Sequence, residues 1–167
     1  MKKYAEIGKS EFELKDSYFD GYEYKGFKVR TKLLIDGCKE YKPLKISNAA
    51  DVYHTFKNLR ESDRERLYSI HLNGGSDVIG VDMVSQGSIN SSPVHPREVF
   101  KPALLSSASN IILVHSHPSG NSFPSSEDRR ITQRLKKAGE LLGIKVLDHV
   151  IIGYDDYYSF SEDSAWE

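Results

Sequence analysis

His115-Ser116-His117 sets two imidazoles two residues apart, and the chemistry such a pair can serve is the binding of a metal ion. In a strand, alternate residues share a side, so both rings can reach one ion while Ser116 faces away. Two ligands do not make a site, and the same pair also fits two polar residues at a strand end. The chain then turns through Pro118-Ser119-Gly120-Asn121-Ser122-Phe123-Pro124, and a helix opens at Ser125-Ser126-Glu127-Asp128. That return brings Asp128 back as a third ligand, giving two His and one Asp with a position left for water, as catalytic zinc requires. Ser125-x-x-Asp128 equally matches a helix capping box, with Asp where Glu or Gln is usual. Gly120-Asn121 reads as turn geometry, Gly tolerating positive φ and Asn the left-handed region.

The elements that must position these groups are legible on both sides. Asn110 to Val114 is a continuous apolar run, the pattern of a strand covered on both faces, and the histidines follow at its C-terminal end. The helix from Ser125 puts Ile131, Leu135, Ala138, Leu141 and Leu142 on one face, leaves Arg129, Arg130, Lys136 and Lys137 mostly outside, and stops at Gly143. Ile144 to Ile152 reads as a second central strand and Tyr157 to Phe160 as an edge strand. Upstream, a helix is expected from about Asn48, capped by Ser47 or Asn48, with Val52, Tyr53, Phe56 and Leu59 on one face. Leu67 to Leu72 and Asp77 to Ser85 form antiparallel strands joined by Asn73-Gly74-Gly75-Ser76. After a loop through Gly87 to His95, Pro96 begins a helix in which Pro102 sits awkwardly early. Residues 1 to 47 read as an arm or short hairpin, with an extended stretch from Tyr24 to Ile35 ending at Asp36-Gly37, and residues 48 to 167 as the main domain. The order predicts an α/β fold, a mixed sheet flanked by helices, whose sites gather where strands end and helices begin.

Composition narrows the function classes. With 167 residues the chain suits one domain, and 38% apolar beside 28% charged residues describes a globular protein. Net charge is −1, unlike proteins that hold nucleic acid through many phosphates, although a local basic patch would escape that count. No apolar leader and no run near the length of a membrane span occurs, so a cytoplasmic protein without membrane contact is expected. The lone Cys38 can form no internal disulfide and no Cys-rich site, so zinc here must be held by His and carboxylates. Cys38 itself reads as a small buried apolar residue.

The joint spacing His-Ser-His, seven residues, Ser, two residues, Asp resembles the signature of JAMM (MPN-plus) metalloproteases. Val94 to Phe100, His117 to Asn121, Pro124-Ser125 and Leu147 to Gly153 resemble RadC-type proteins, the bacterial branch of that family, over about residues 48 to 162. The resemblance implies a JAB/MPN-like fold of cytidine-deaminase-like layered architecture, and one Zn²⁺ per chain on His115, His117 and Asp128. It implies Ser125 as oxyanion support and an upstream Glu as general base. Glu65 fits that place, since Glu65 to Asn73 resembles the RadC segment in which Glu introduces a strand; Glu98 is its competitor. His149, interrupting an apolar strand, is either a satisfied buried histidine or a site-flanking one, and His95 is a further candidate for the cleft. His54 and His71 belong to no motif.

The resulting expectation is a zinc-dependent peptidase or isopeptidase acting on a peptide or protein substrate. The alternative is a RadC-like DNA-repair-associated or mobile-element module that binds DNA or a protein partner. Full-length RadC proteins carry an N-terminal helix-hairpin-helix domain, whereas residues 1 to 47 show no such helices, a departure that counts against DNA binding. A metal-free scaffold ranks below the enzyme because every ligand position is filled. Zinc deaminases are excluded for want of paired cysteines and an H-x-E motif.

Overall fold

In the computed structural model, residues 44–87, 94–163 and 166 are described; the expected Tyr24 to Ile35 hairpin, Cys38 and part of the loop before His95 lie outside them. The strands are β1 (Arg66–Leu72), β2 (Val78–Gln86), β3 (Asn110–Ser116), β4 (Lys145–Ile152) and β5 (Tyr157–Ser159). The helices are α1 (Ala49–Phe56), continued by a 3₁₀ turn over Lys57–Glu61, α2 (Pro96–Leu105) and α3 (Ser126–Leu142). The five strands make one mixed sheet in the order β2-β1-β3-β4-β5, in which β3 and β4 are parallel and all other pairs antiparallel. Parallel neighbours cannot be joined by a tight turn, and α3 is the crossover between them.

Alternation along β3 explains the two cores. Ile111 and Leu113 face α2 and α3, where they meet Val99, Phe100, Ala103, Ile131 and Leu135. Ile112 and Val114 face the opposite way, against Ala49 and Val52 of α1. β3 is therefore covered on both sides, which is why it shows no polar alternation before His115. Ile46 is buried in the α1-side core, and Lys45 pairs with Asp77 at the start of β2, so the packed unit takes in residues just ahead of α1.

The caps follow the sequence. Asn48 accepts the Asp51 N–H at 2.9 Å to start α1, and Gly143 ends α3 in the left-handed region. Pro102 lies inside α2 without ending it. The β1–β2 turn forms as expected, and one local expectation, on α3, is corrected. In the β1–β2 turn the positive-φ residue is Ser76; Gly74 and Gly75 have negative φ, and the Asn73 carboxamide oxygen, accepting from Gly75 and Asp77 N–H groups, shapes the turn. On α3, Leu141 and Leu142 are exposed rather than packed. The stripe that reaches the sheet is Asp128, Ile131, Thr132, Leu135 and Gly139, and Gly139 lets the helix approach the backbone of Ile144. Leu141 falls off that stripe at 3.6 residues per turn.

Candidate metal centre

β3 ends at Ser116, so His115 points from the strand under α3 while His117 stands where the chain leaves the sheet. The loop that follows is pinned. Gly120 has positive φ, and a Cβ there would run into the Tyr154 ring; Tyr154 N–H donates to the Gly120 carbonyl at 3.0 Å. Asn121, by contrast, keeps a negative φ; its contribution is its backbone carbonyl, which lies 2.7 Å from His117 Nδ1. A carbonyl can only accept, so Nδ1 carries the proton and Nε2 of the neutral ring is left with its lone pair.

Asp128 arrives from the other side at the third position of α3. Both halves of the capping box form: Ser125 N–H donates to Asp128 Oδ2 at 2.8 Å, and Asp128 N–H donates to Ser125 Oγ at 3.2 Å. The Ser125 hydroxyl also donates to Oδ2, at 2.6 Å. Capping therefore does not take Asp128 out of the cluster, because the box holds its carboxylate toward the two histidines. His115 Nδ1 lies 3.2 Å from Oδ1 and His117 Nε2 lies 3.4 Å from Oδ2. Ligands about 2.0–2.1 Å from a tetrahedral ion stand roughly 3.3 Å apart, so this spacing suits zinc. His115 and Asp128 are each 1% exposed, and neither ring nitrogen of His115 is aligned in a hydrogen bond. Leaving a buried polar atom unsatisfied costs about 1–3 kcal/mol, a cost that an ion would remove at Nδ1, the nitrogen that faces Asp128. The residues present therefore fit the metal.

Without an ion, the same contacts set the charges of the cluster. Burial would raise the Asp128 carboxyl, but contacts from His115 and His117 and the Ser125 hydrogen bond more than reverse this and hold it well below the usual carboxylate range. The Asp128 carboxylate raises His117 against the opposing effect of burial, with the Asn121 carbonyl and Glu65 adding to the rise.

These groups open onto a cleft of about 420 Å³. It is lined by Glu65, His115, His117, Ser125 and Asp128, together with Pro118, Ser119, Asn121, Phe123 and Glu127. Glu65 is there because of strand register: Arg66 pairs with Ser116, so the antiparallel ladder sets Glu65 beside His117. Glu98 is not among the lining residues; it sits on the exposed first turn of α2 between Arg97 and Lys101, which hold its carboxyl below the ordinary value. His95 caps α2 through its backbone carbonyl, away from the cleft lining. His149 is fully buried behind the cluster, its ring 5.9 Å from that of His115, and burial pushes it down to about 3. It is at once hydrogen-bonded, to Thr132, and adjacent to the site. Thr132 belongs to no sequence motif; the signal for it is its place four residues after Asp128 on the inward stripe. Arg129 and Lys136, expected to be solvated, lie over the Tyr158, Phe160 and Trp166 rings.

Comparison with known proteins places this arrangement. Residues 46–165 match the family described as RadC-like JAB domain. A UPF0758 protein of Trichlorobacter lovleyi is 48% identical over 119 residues, which cover 71% of this chain and 52% of the relative. A UPF0758 protein of Methanosarcina mazei is 44% identical over 120 residues, with 71% and 52% covered. One from Desulfitobacterium hafniense is 47% identical over 118 residues, with 70% and 52% covered. The chain spans about half the length of these relatives. Among the described residues, no helix is long and apolar enough to cross a membrane.

Proposed function

Because the chain belongs to the RadC-like JAB domain family, we propose that its cleft is a zinc-hydrolase centre acting on an amide bond of a peptide or protein. The observation that carries this reading is the convergence of His115 Nδ1 and His117 Nε2 on the two oxygens of one buried carboxylate, at 3.2 and 3.4 Å. His115, His117 and Asp128 hold the metal, His117 through the Nε2 that its bond to Asn121 leaves unprotonated. When bound, zinc supplies acidification of water and polarisation of a carbonyl.

The chain's own residues supply the rest. Glu65, across from His117 on the cleft wall, takes the proton of the attacking water and delivers it to the leaving amine. The Ser125 hydroxyl, which donates to Asp128 Oδ2 here, turns toward the cleft to support the developing oxyanion. His115 and Asp128 are buried, and the exposed Phe123 ring stands on the cleft wall. The family's association with DNA repair receives less support: Arg129 and Lys136 of the basic α3 face are engaged with aromatic rings, and Arg130 pairs with Glu127 at 2.7 Å. The test is metal content together with cleavage of amide-linked peptide and protein substrates. The reading expects about one zinc per chain and cleavage that a chelator abolishes; a protein that takes up no zinc would refute it.

A further inference from the structure

Behind the cluster, a buried link joins β4 to the turn of α3 that carries Asp128. Thr132 Oγ1 lies 2.5 Å from the Asp128 backbone carbonyl and 2.6 Å from His149 Nδ1. A threonine hydroxyl has one proton, and the carbonyl, which only accepts, receives it. The contact to His149 must therefore run the other way, with Nδ1–H donating to Oγ1. The chain of bonds is directional: His149 to Thr132 to Asp128.

The His149 ring is held in that orientation from both faces. It stacks on Phe160 at 5.0 Å and 7°, and on His115 at 5.9 Å and 17°. Phe160 is fixed in turn by Asp148, which accepts from Ser159 Oγ at 2.7 Å and Ser161 N–H at 2.9 Å. Nε2 of His149 is buried with no hydrogen-bond partner. An apolar side chain on this strand would avoid that cost. What histidine provides that Leu or Phe lacks is the Nδ1 donor aimed at Thr132.

We propose that His149 is a positioning residue: through Thr132 it locks the first turns of α3 to β4, so that the Asp128 carboxylate stays converged on His115 and His117 and the metal meets a preformed site. The proposal rests on the zinc reading above. Partners hydrogen-bonded to ligating side chains typically contribute 10–100-fold to metal affinity, and here the link reaches Asp128 through its backbone carbonyl.

The experiment measures zinc affinity by chelator competition, alongside thermal unfolding of the metal-free protein, for the wild type and four variants. Thr132→Val removes the hydroxyl at unchanged shape, and His149→Gln removes the donor at the Nδ1 position; both are expected to bind zinc about 10–100-fold more weakly. Thr132→Ser keeps the hydroxyl, and His149→Asn places an amide nitrogen where Nδ1 stands, so both should stay within a few-fold of wild type. Equal affinity in all five proteins overturns the proposal. So does a loss that follows unfolding temperature alone, with His149→Asn as impaired as His149→Gln. If a His149 variant fails to fold, the Thr132→Val and Thr132→Ser pair decides. A wild type that binds no zinc removes the zinc reading itself and the proposal with it, an outcome distinct from tight wild-type binding with indifferent variants.

Discussion

Two buried histidines share one face of the sheet, near opposite ends of β3, and only one of them belongs to a group that could hold a metal. His71 of β1 pairs with Ile111 near the start of β3, is 3% exposed, and has one ring nitrogen without a partner. Its other nitrogen meets Ser106 Oγ at 3.1 Å, and burial lowers its pKa against the pull of Asp82. His115, near the end of β3, is as buried and has neither nitrogen in a hydrogen bond. The difference lies in what converges. Among the described residues, only His115, His117 and Asp128 bring three ligand atoms together, because a strand end, a pinned loop and a capped helix meet there. Burial and an orphaned nitrogen mark both histidines; a second imidazole and an aimed carboxylate mark one.

Mutations at the two ends should separate them most sharply. His117→Ala and Asp128→Ala are each expected to reduce bound zinc from about one per chain to none, measured by elemental analysis after dialysis; retained metal in both would break the comparison. Next in size is Glu65→Gln, expected to keep its zinc while hydrolysis falls about 10²–10⁴-fold, with Glu98→Gln leaving both unchanged. The reverse pattern, loss at Glu98 alone, would move the base to α2.

A smaller effect concerns acid. His149 is held neutral down to about pH 3, against 6.5 for an ordinary histidine, so between those values the unfolded chain binds a proton that the folded chain does not. Stability of the metal-free protein should therefore fall as pH drops through this window, by at most about 1.4 kcal/mol per pH unit from this group. Denaturant titrations should show a shallower acid slope in His149→Phe, and identical slopes would contradict the assignment. His117 acts with the opposite sign: its charged form is favoured beside Asp128, so its contribution is present below pH 6.5 and lost as pH rises past its raised value. Smallest of all is His71→Leu, for which zinc content and affinity should not change; a weakened site would show that the two ends of β3 are coupled.

Much of this was readable from residue order. The apolar run Ile111 to Val114 announced a doubly covered strand because nothing polar can alternate there. Asn48 and Gly143 announced helix ends because their side chain, or lack of one, solves the terminal backbone problem locally. Leu142, in phase with the inward stripe, is exposed all the same, since periodicity alone does not say where the sheet stops beneath a helix.

The sequence by itself determined the candidate ligand types and their spacing, His115, His117 and Asp128 with Ser125 at the helix cap, because strand alternation and capping chemistry act over a few residues. Tertiary structure decided between Glu65 and Glu98 as the acid that faces the cleft, since that choice depends on β1 pairing antiparallel with β3, a register between segments some fifty residues apart. It also recruited Thr132 and His149 behind Asp128, because their link exists only once α3 has packed across β4.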